Sequence, residues 1–184
     1  MDMGTWYQTE SDNYSTTREV WSALLDQHPP AKIYDPCFFD GTAARFIASL
    51  GHVPVHDRTD FFHPLFVEPT YDILATNPPF SDPKPFIRRI VDITLKNGKP
   101  FAVLLPVATR ECNYFAMQFG RLAPVGQVVE IQLLSLGPRG KVFIGPDHTP
   151  IRKGRGTNWF VYGMSLRETS GVLYVPGNRA GFNV

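Results

Sequence analysis

Asn77-Pro78-Pro79-Phe80 closes an apolar run, Tyr71-Asp72-Ile73-Leu74-Ala75-Thr76, that reads as a buried strand. An Asn, two prolines and an aromatic at a strand tip make a poor piece of core but a good holder for a planar amino group. Proline has a fixed φ and no N–H, so two in succession leave the local backbone with acceptors and no donors. The Asn77 amide oxygen adds a further acceptor, and the Phe80 ring offers a face on which a flat ring stacks. The same residues also make an ordinary Pro-Pro turn. What separates the two readings is where the rest of the chain places this strand end.

The elements that must position it follow from pattern. Thr16-Thr17-Arg18-Glu19 has the form of a capping box, with the Thr16 hydroxyl over a free amide and Glu19 reaching back. The helix after it carries Val20, Trp21, Leu24 and Leu25 on one face and is stopped by Pro29-Pro30. A short strand ends near Tyr34-Asp35-Pro36. After a turn to Gly41, a second helix carries Ala43, Ala44, Phe46, Ile47 and Leu50, with Gly51 just past its end. His52 to Asp57 predicts a second strand. Phe86, Ile87, Ile90, Val91 and Leu95 mark a third helix, closed by Asn97-Gly98, with Arg88 and Arg89 on its exposed face. Phe101 to Leu105 is a continuous apolar run, as in a strand buried on both faces. A helix near Tyr114 to Phe119 and strands near 128–134 and 159–164 complete the pattern, with a hairpin-like piece at 140–144. Trp159 and Tyr162 read as core.

Strands alternating with helices predict an α/β fold with a mostly parallel, doubly wound sheet covered on both faces. Ligands of such sheets bind beyond the carboxyl ends of the strands. Asp35, Asp57 and Asn77 each stand at such an end, which favours the functional reading of the Asn-Pro-Pro-Phe tetrapeptide.

Composition narrows the partners. The 184 residues fit one domain over 1–184, with 1–12 as a loosely held polar start. At 43% apolar and 19% charged residues the chain belongs with ordinary globular proteins rather than disordered ones. No apolar run is long enough for a bilayer, and the polar beginning does not have the form of a signal peptide, so an intracellular setting is expected. Cys37 and Cys112 are too few and too far apart for a disulfide framework or a zinc cluster, and no metal is called for. A net charge of +1 places any nucleic-acid surface in a local patch.

Taken in order, these pieces resemble the S-adenosylmethionine-dependent amino-methyltransferases, above all the N6-adenine enzymes, whose sheet is of the methyltransferase (Rossmann-like) type. That family opens its sheet with a loop of the Asp-Pro-x-x-Gly-x-Gly kind and ends its fourth strand in Asn/Asp-Pro-Pro-aromatic. Here the first is Asp35-Pro36-Cys37-Phe38-Phe39-Asp40-Gly41 and the second is Asn77 to Phe80. Tyr14-Ser15-Thr16-Thr17 resembles the Tyr-x-Thr-Pro element that precedes the first strand. The likeness runs from Tyr14 to about Met164, and only the tetrapeptide is highly specific.

The resemblance implies roles. Asp35, Pro36 and Gly41 would line the cofactor loop, whose amides, with the start of the next helix, would hold the methionine part. Tyr14 and Thr16 would close over the carboxylate end. Asp57 would take the ribose hydroxyls. Asp60 would accept from the cofactor's adenine amino group, with Phe61 beside the ring. Asn77 and Pro78 would accept the two hydrogens of the target amine, and Phe80 would stack on a base taken out of its helix or from a single strand. Two departures stand out. Phe39 replaces a Gly at which the backbone usually approaches the ligand. Asp57 and Asp60 are also so close that one helix–strand unit must be missing, so the fold is expected to be shortened in the middle.

For the polymer, Arg152, Lys153 and Arg155 lie in the Gly-rich stretch 150–156, with Arg139 and Lys141 in a second such turn. They would suit phosphate contact, or else form a solvated loop. A chain of this length leaves no room for a separate target-recognition domain, so specificity is expected to be short, absent or supplied by a partner subunit. The Tyr-x-Thr-Pro-like element favours DNA over RNA. A protein glutamine amide is a third acceptor of the same shape, and a non-catalytic subunit that keeps the fold is the alternative from another class.

Overall fold

The structure is a computed structural model and describes residues 15–56, 58–136, 143–144, 150–151 and 156–178. Along the chain it contains β1 (Ser15–Thr16), α1 (Arg18–Leu25), β2 (Lys32–Tyr34), α2 (Thr42–Ser49), β3 (Val53–Val55), β4 (Ile73–Thr76) and α3 (Lys84–Asn97). Then come β5 (Phe101–Pro106), a 3-10 helix at Val107–Glu111, α4 (Asn113–Gly120), β6 (Val128–Ser135), β7 (Phe143–Ile144), β8 (Pro150–Ile151), β9 (Thr157–Tyr162) and β10 (Gly171–Pro176). Seven strands form one sheet in the order β10-β6-β9-β5-β4-β2-β3, and β1-β7-β8 form a small second sheet.

The α/β class expected from the sequence is what the chain adopts, but the large sheet is mixed. β3, β2, β4 and β5 pair in parallel, whereas β9 runs antiparallel between β5 and β6, and β10 antiparallel to β6. β10 was not anticipated from the sequence, because Gly171 to Pro176 carries no clean alternation against its neighbours.

Strand alternation divides the apolar residues between two cores, one on each face of the sheet. Phe101, Val103 and Leu105 of β5 join Leu74, Tyr34 and Phe160, and α3 and α4 cover them through Ile87, Ile90, Val91, Phe115 and Phe119. Ala102 and Leu104 face the other way with Ile33, Ile73, Ala75 and Trp159, beneath α1 and α2 through Val20, Trp21, Leu24, Leu25 and Ile47. Burial more than pairing holds β2, whereas β3, with no buried residue, rests on its pairing with β2 and on the half-buried Val55. β2 and β3 are only 3 residues each, and a ladder hydrogen bond nets about 1 kcal/mol. Fully burying one Ile or Leu gains about 1.5–3 kcal/mol, and Ile33 is wholly buried.

Two local expectations are corrected. The capping box at 16–19 does not form: the N-cap of α1 is Thr17, and no side chain caps it. The Thr16 hydroxyl is engaged across the molecule instead, with Asn77. Arg89 is half-buried rather than on the exposed face of α3, its guanidinium lying 5.2 Å from the Phe66 ring centre and 5.7 Å from that of Phe61.

β3 is one edge of the sheet, and its sequence closes that edge. Val53 N–H donates to Ala31 O, and Val55 O accepts from Asp35 N–H, so both residues direct their backbone groups at β2. Alternation turns the intervening Pro54 outward, where it offers a carbonyl but no N–H. A proline there denies a further strand its donor. We predict that Pro54→Val, which restores that N–H beside the exposed Val53, raises self-association, as read by light scattering against concentration. Unchanged scattering would show that the edge is protected by something else.

Candidate functional site

Three parallel strands, β3, β2 and β4, end side by side, and the residues just beyond them form the site. Asp35 follows β2, His56 follows β3, and Thr76-Asn77 end β4.

Asp35 is buried, 3% exposed. Its Oδ1 accepts from the Thr76 hydroxyl at 2.6 Å and from the Cys37 amide at 3.1 Å. His56 Nδ1 lies 2.9 Å from the Asp35 carbonyl oxygen and 3.5 Å from its Oδ2. Both partners are acceptors, so Nδ1 carries the proton. Burial pushes the Asp35 carboxyl up from its ordinary 3.8, while His56, the Thr76 hydroxyl and the Cys37 amide pull it the other way. Burial also raises the Cys37 thiol well above its usual range, with the Asp35 charge adding to the effect. Asp35 thus ties the loop to β4 and β3, its Oδ1 taken by two donors and its Oδ2 facing His56.

The loop from Asp35 leads to Gly41, the N-cap of α2, at φ 77° and ψ 4°. An L side chain is strained there, and a Cβ would stand 3.3 Å from Phe38 Cζ. Phe39 takes no positive φ, so the loop accommodates it without backbone strain. Phe38 stacks on His56 with ring centres 4.6 Å apart and planes at 28°, and the Arg58 guanidinium lies 5.3 Å from its ring centre.

Asp40 shapes the exit. Its Oδ1 accepts from the Thr42 amide at 2.8 Å and its Oδ2 from the Ser15 hydroxyl at 3.0 Å, which ties β1 to the start of α2. This alters one expectation: the Thr42 amide at the beginning of α2 is already taken by a carboxylate, so that amide is not free for an anionic ligand. Asp40 itself is exposed and charged, and is suited to a cation.

At the end of β4, Asn77 Nδ2 donates to Thr16 Oγ1 at 2.9 Å. Thr16 is 5% exposed. With Nδ2 so used, Asn77 Oδ1 is buried and has no hydrogen-bond partner among the described residues. An orphaned acceptor of this kind costs about 1–3 kcal/mol. Pro78 is buried, and Pro79 and Phe80 are half-buried. The Phe80 ring packs against the α1-side core and meets Phe143 of β7 edge to face at 5.6 Å and 82°.

The structure thus brings Thr16, Asp35, Pro36, Gly41 and Asn77 to Phe80 together at the strand ends. Asp60 lies in the β3–β4 connection, where its Oδ1 accepts from the Phe62 amide at 2.8 Å and its carbonyl from His63. Phe61 is not free to flank a ligand: it is buried among Tyr34, Phe66 and Phe86. The shortness of the connection explains this, since Phe61 itself plugs the space beside β2. Tyr14, Asp57, Arg139, Lys141, Arg152, Lys153 and Arg155 lie outside the described residues. Asp40, His56 and Thr76 were missed from sequence. Asp40-Gly41-Thr42 before a helical run is a legible cap signal, whereas nothing local marks His56 or Thr76.

A concavity of about 390 Å³ lies elsewhere, lined by Gln127, Glu130, Gln132, Tyr162 and Ser165 among others. It adjoins the carboxyl end of the antiparallel β9, hence the opposite end of the sheet, and none of the residues above lines it. Comparison of the chain with protein-family models and with curated protein sequences gives no match.

The Asp40 contacts carry a pH prediction. Partial burial raises its carboxyl, but hydrogen bonds from the Thr42 amide and hydroxyl and the Ser15 hydroxyl, with the charge of Arg45, outweigh it and hold the group below its ordinary 3.8. A depressed folded value means stability present above that ordinary value and lost as pH falls through the folded one. Wild type should therefore exceed Asp40→Ala in melting temperature at pH 6–7, and the gap should shrink on acidification below about pH 4. A gap independent of pH would assign the effect to packing alone.

Proposed function

We propose that the chain transfers a methyl group from S-adenosylmethionine to the N6 amino group of adenine in nucleic acid, with DNA as the preferred polymer. The observation that carries this is the state of Asn77. Its amide is oriented through Nδ2 by Thr16, which leaves Oδ1 a buried acceptor without a donor among the described residues, directly before two prolines that add carbonyls and no N–H. An exocyclic amine supplies two N–H donors to such a place.

The residues at hand are compatible with the cofactor. S-adenosylmethionine, when bound, supplies an electrophilic methyl group on a sulfonium. The Asp35–Gly41 loop and the start of α2 adjoin Asn77 through the Asp35–Thr76 hydrogen bond. Asp40, exposed and ionised, would take the ammonium of the methionine part. Asp57 would take the ribose, and Asp60 would need to exchange its turn contact for the adenine edge. The connection from β3 to β4 holds neither helix nor strand among its described residues, which supports the shortened middle inferred from the Asp57–Asp60 spacing.

The chemistry assigned to the chain is positional. An aromatic amine donates its lone pair into its ring and is a weak nucleophile. Acceptors at Asn77 Oδ1 and the Pro78 carbonyl draw its two hydrogens out of plane and turn the lone pair outward, towards an in-line displacement. The proton leaves after the methyl is transferred, so no strong base is required beforehand. Because Oδ1 is covered as well as unpaired, docking of an amine requires that cover to shift. Phe80, already held on Phe143, would present its remaining surface to the base.

The test is transfer of labelled methyl from S-adenosylmethionine to single-stranded DNA, duplex DNA, RNA and a protein mixture. We expect label in nucleic acid, recovered as N6-methyladenine, with Asn77→Ala slower by roughly 100-fold or more. Asn77→Asp, which keeps the Oδ1 acceptor, should retain more activity than Asn77→Ala. Label confined to protein would replace adenine by a glutamine amide. Absence of label together with absence of heat on titrating the cofactor would leave a non-catalytic subunit of this fold.

A further inference from the structure

His56 contacts the loop directly and the tetrapeptide through Asp35 and Thr76, yet it touches no open surface. Its side chain is 1% exposed, so no open face of it is offered to a substrate. What it touches instead is the frame of the site. One edge, Nδ1, holds both the carbonyl and the carboxylate of Asp35. One face carries the Phe38 ring, which in turn stands against Gly41. The far oxygen of Asp35 receives the Thr76 hydroxyl, and Thr76 is bonded directly to Asn77. Two chains of contact therefore leave His56: a polar one through Asp35 and Thr76 to Asn77, and an aromatic one through Phe38 to Gly41. Its remaining nitrogen, Nε2, is buried with no hydrogen-bond partner among the described residues. Such a group is retained at a cost, which implies that the contacts at Nδ1 and the ring face outweigh it.

We propose that His56 is a positioning residue that holds the Asp35–Gly41 loop and the Asn77 turn at one point, its polar arm ordering the turn and its aromatic arm the loop. This rests on the reading of Asn77 as the amine acceptor. It predicts that each arm orders its own segment, so that the two arms separate by substitution. His56→Phe keeps a flat ring for Phe38 and removes the donor to Asp35. His56→Asn keeps a donor near the place of Nδ1 and removes the stack.

Amide hydrogen exchange of the full chain, followed in segments 35–41 and 76–80, tests this, with β5 as an internal control. His56→Phe should speed exchange in 76–80 by about fivefold, the effect of losing one buried hydrogen bond, while β5 keeps its rate. His56→Asn should restore 76–80 and leave 35–41 fast. Wild-type rates in both segments, a uniform acceleration that includes β5, or no rescue by Asn would each overturn the latch. Titration of S-adenosylmethionine onto the same proteins separates the two hypotheses. If exchange behaves as described but wild type takes no cofactor, methyl transfer falls and the latch stands. If wild type binds and the exchange pattern fails, the reverse holds.

Discussion

A carboxylate removed from water must be given donors, and this requirement at Asp35 organises the end of the sheet. Three strands of 3 or 4 residues would by themselves be poorly registered. The Asp35 carboxylate draws a hydroxyl from β4, an amide from its own loop and an imidazole from the end of β3. Satisfying one buried carboxyl thus aligns three strand ends. Leaving its polar atoms unmatched there would cost about 1–3 kcal/mol each, at least as much as a single ladder bond nets. The alignment is consequently strong although the strands are short.

A second polar link, Thr16 to Asn77, reaches from the opposite side. It joins the entry of α1 to the end of β4 and fixes which atom of the Asn amide remains an acceptor. Together with the Asp40 contacts to Ser15 and Thr42, it draws β1 over the strand ends. The small sheet of β1, β7 and β8 is thereby placed beside the tetrapeptide, with Phe143 against Phe80. Local propensity and these long-range polar contacts compete at Thr16. The capping box would have used its hydroxyl within the helix, and the contact to Asn77 takes it instead. The helix loses a cap worth about 1 kcal/mol, and the site gains an oriented amide.

Much of the fold was readable residue by residue. Val20, Trp21, Leu24 and Leu25 mark one face of α1, and all four are buried. Asn97-Gly98 marks the end of α3, where Gly98 is indeed the left-handed cap. Continuous apolar runs at β4 and β5 identify strands covered on both faces. These signals are local because helix and strand periods repeat over a few residues. Less visible were the direction of β9, the existence of β10, the inward turn of Arg89 and the burial of Phe61, since each depends on which distant surface arrives beside it.

The same division holds for the site. Sequence alone determined that Asn77 to Phe80 is an acceptor-rich, donor-poor strand end, because proline chemistry and the amide inventory are properties of the residues themselves. It also determined that Asp35 and Gly41 frame a turn into a helix. Tertiary structure alone decided that the Asp35 carboxylate faces inward, that Asp40 rather than a ligand caps Thr42, and that Asn77 Oδ1 is the atom left unpaired. These are matters of hydrogen-bond competition among groups as many as 61 positions apart in the chain, and no local pattern records which partner prevails when buried polar atoms must all be satisfied.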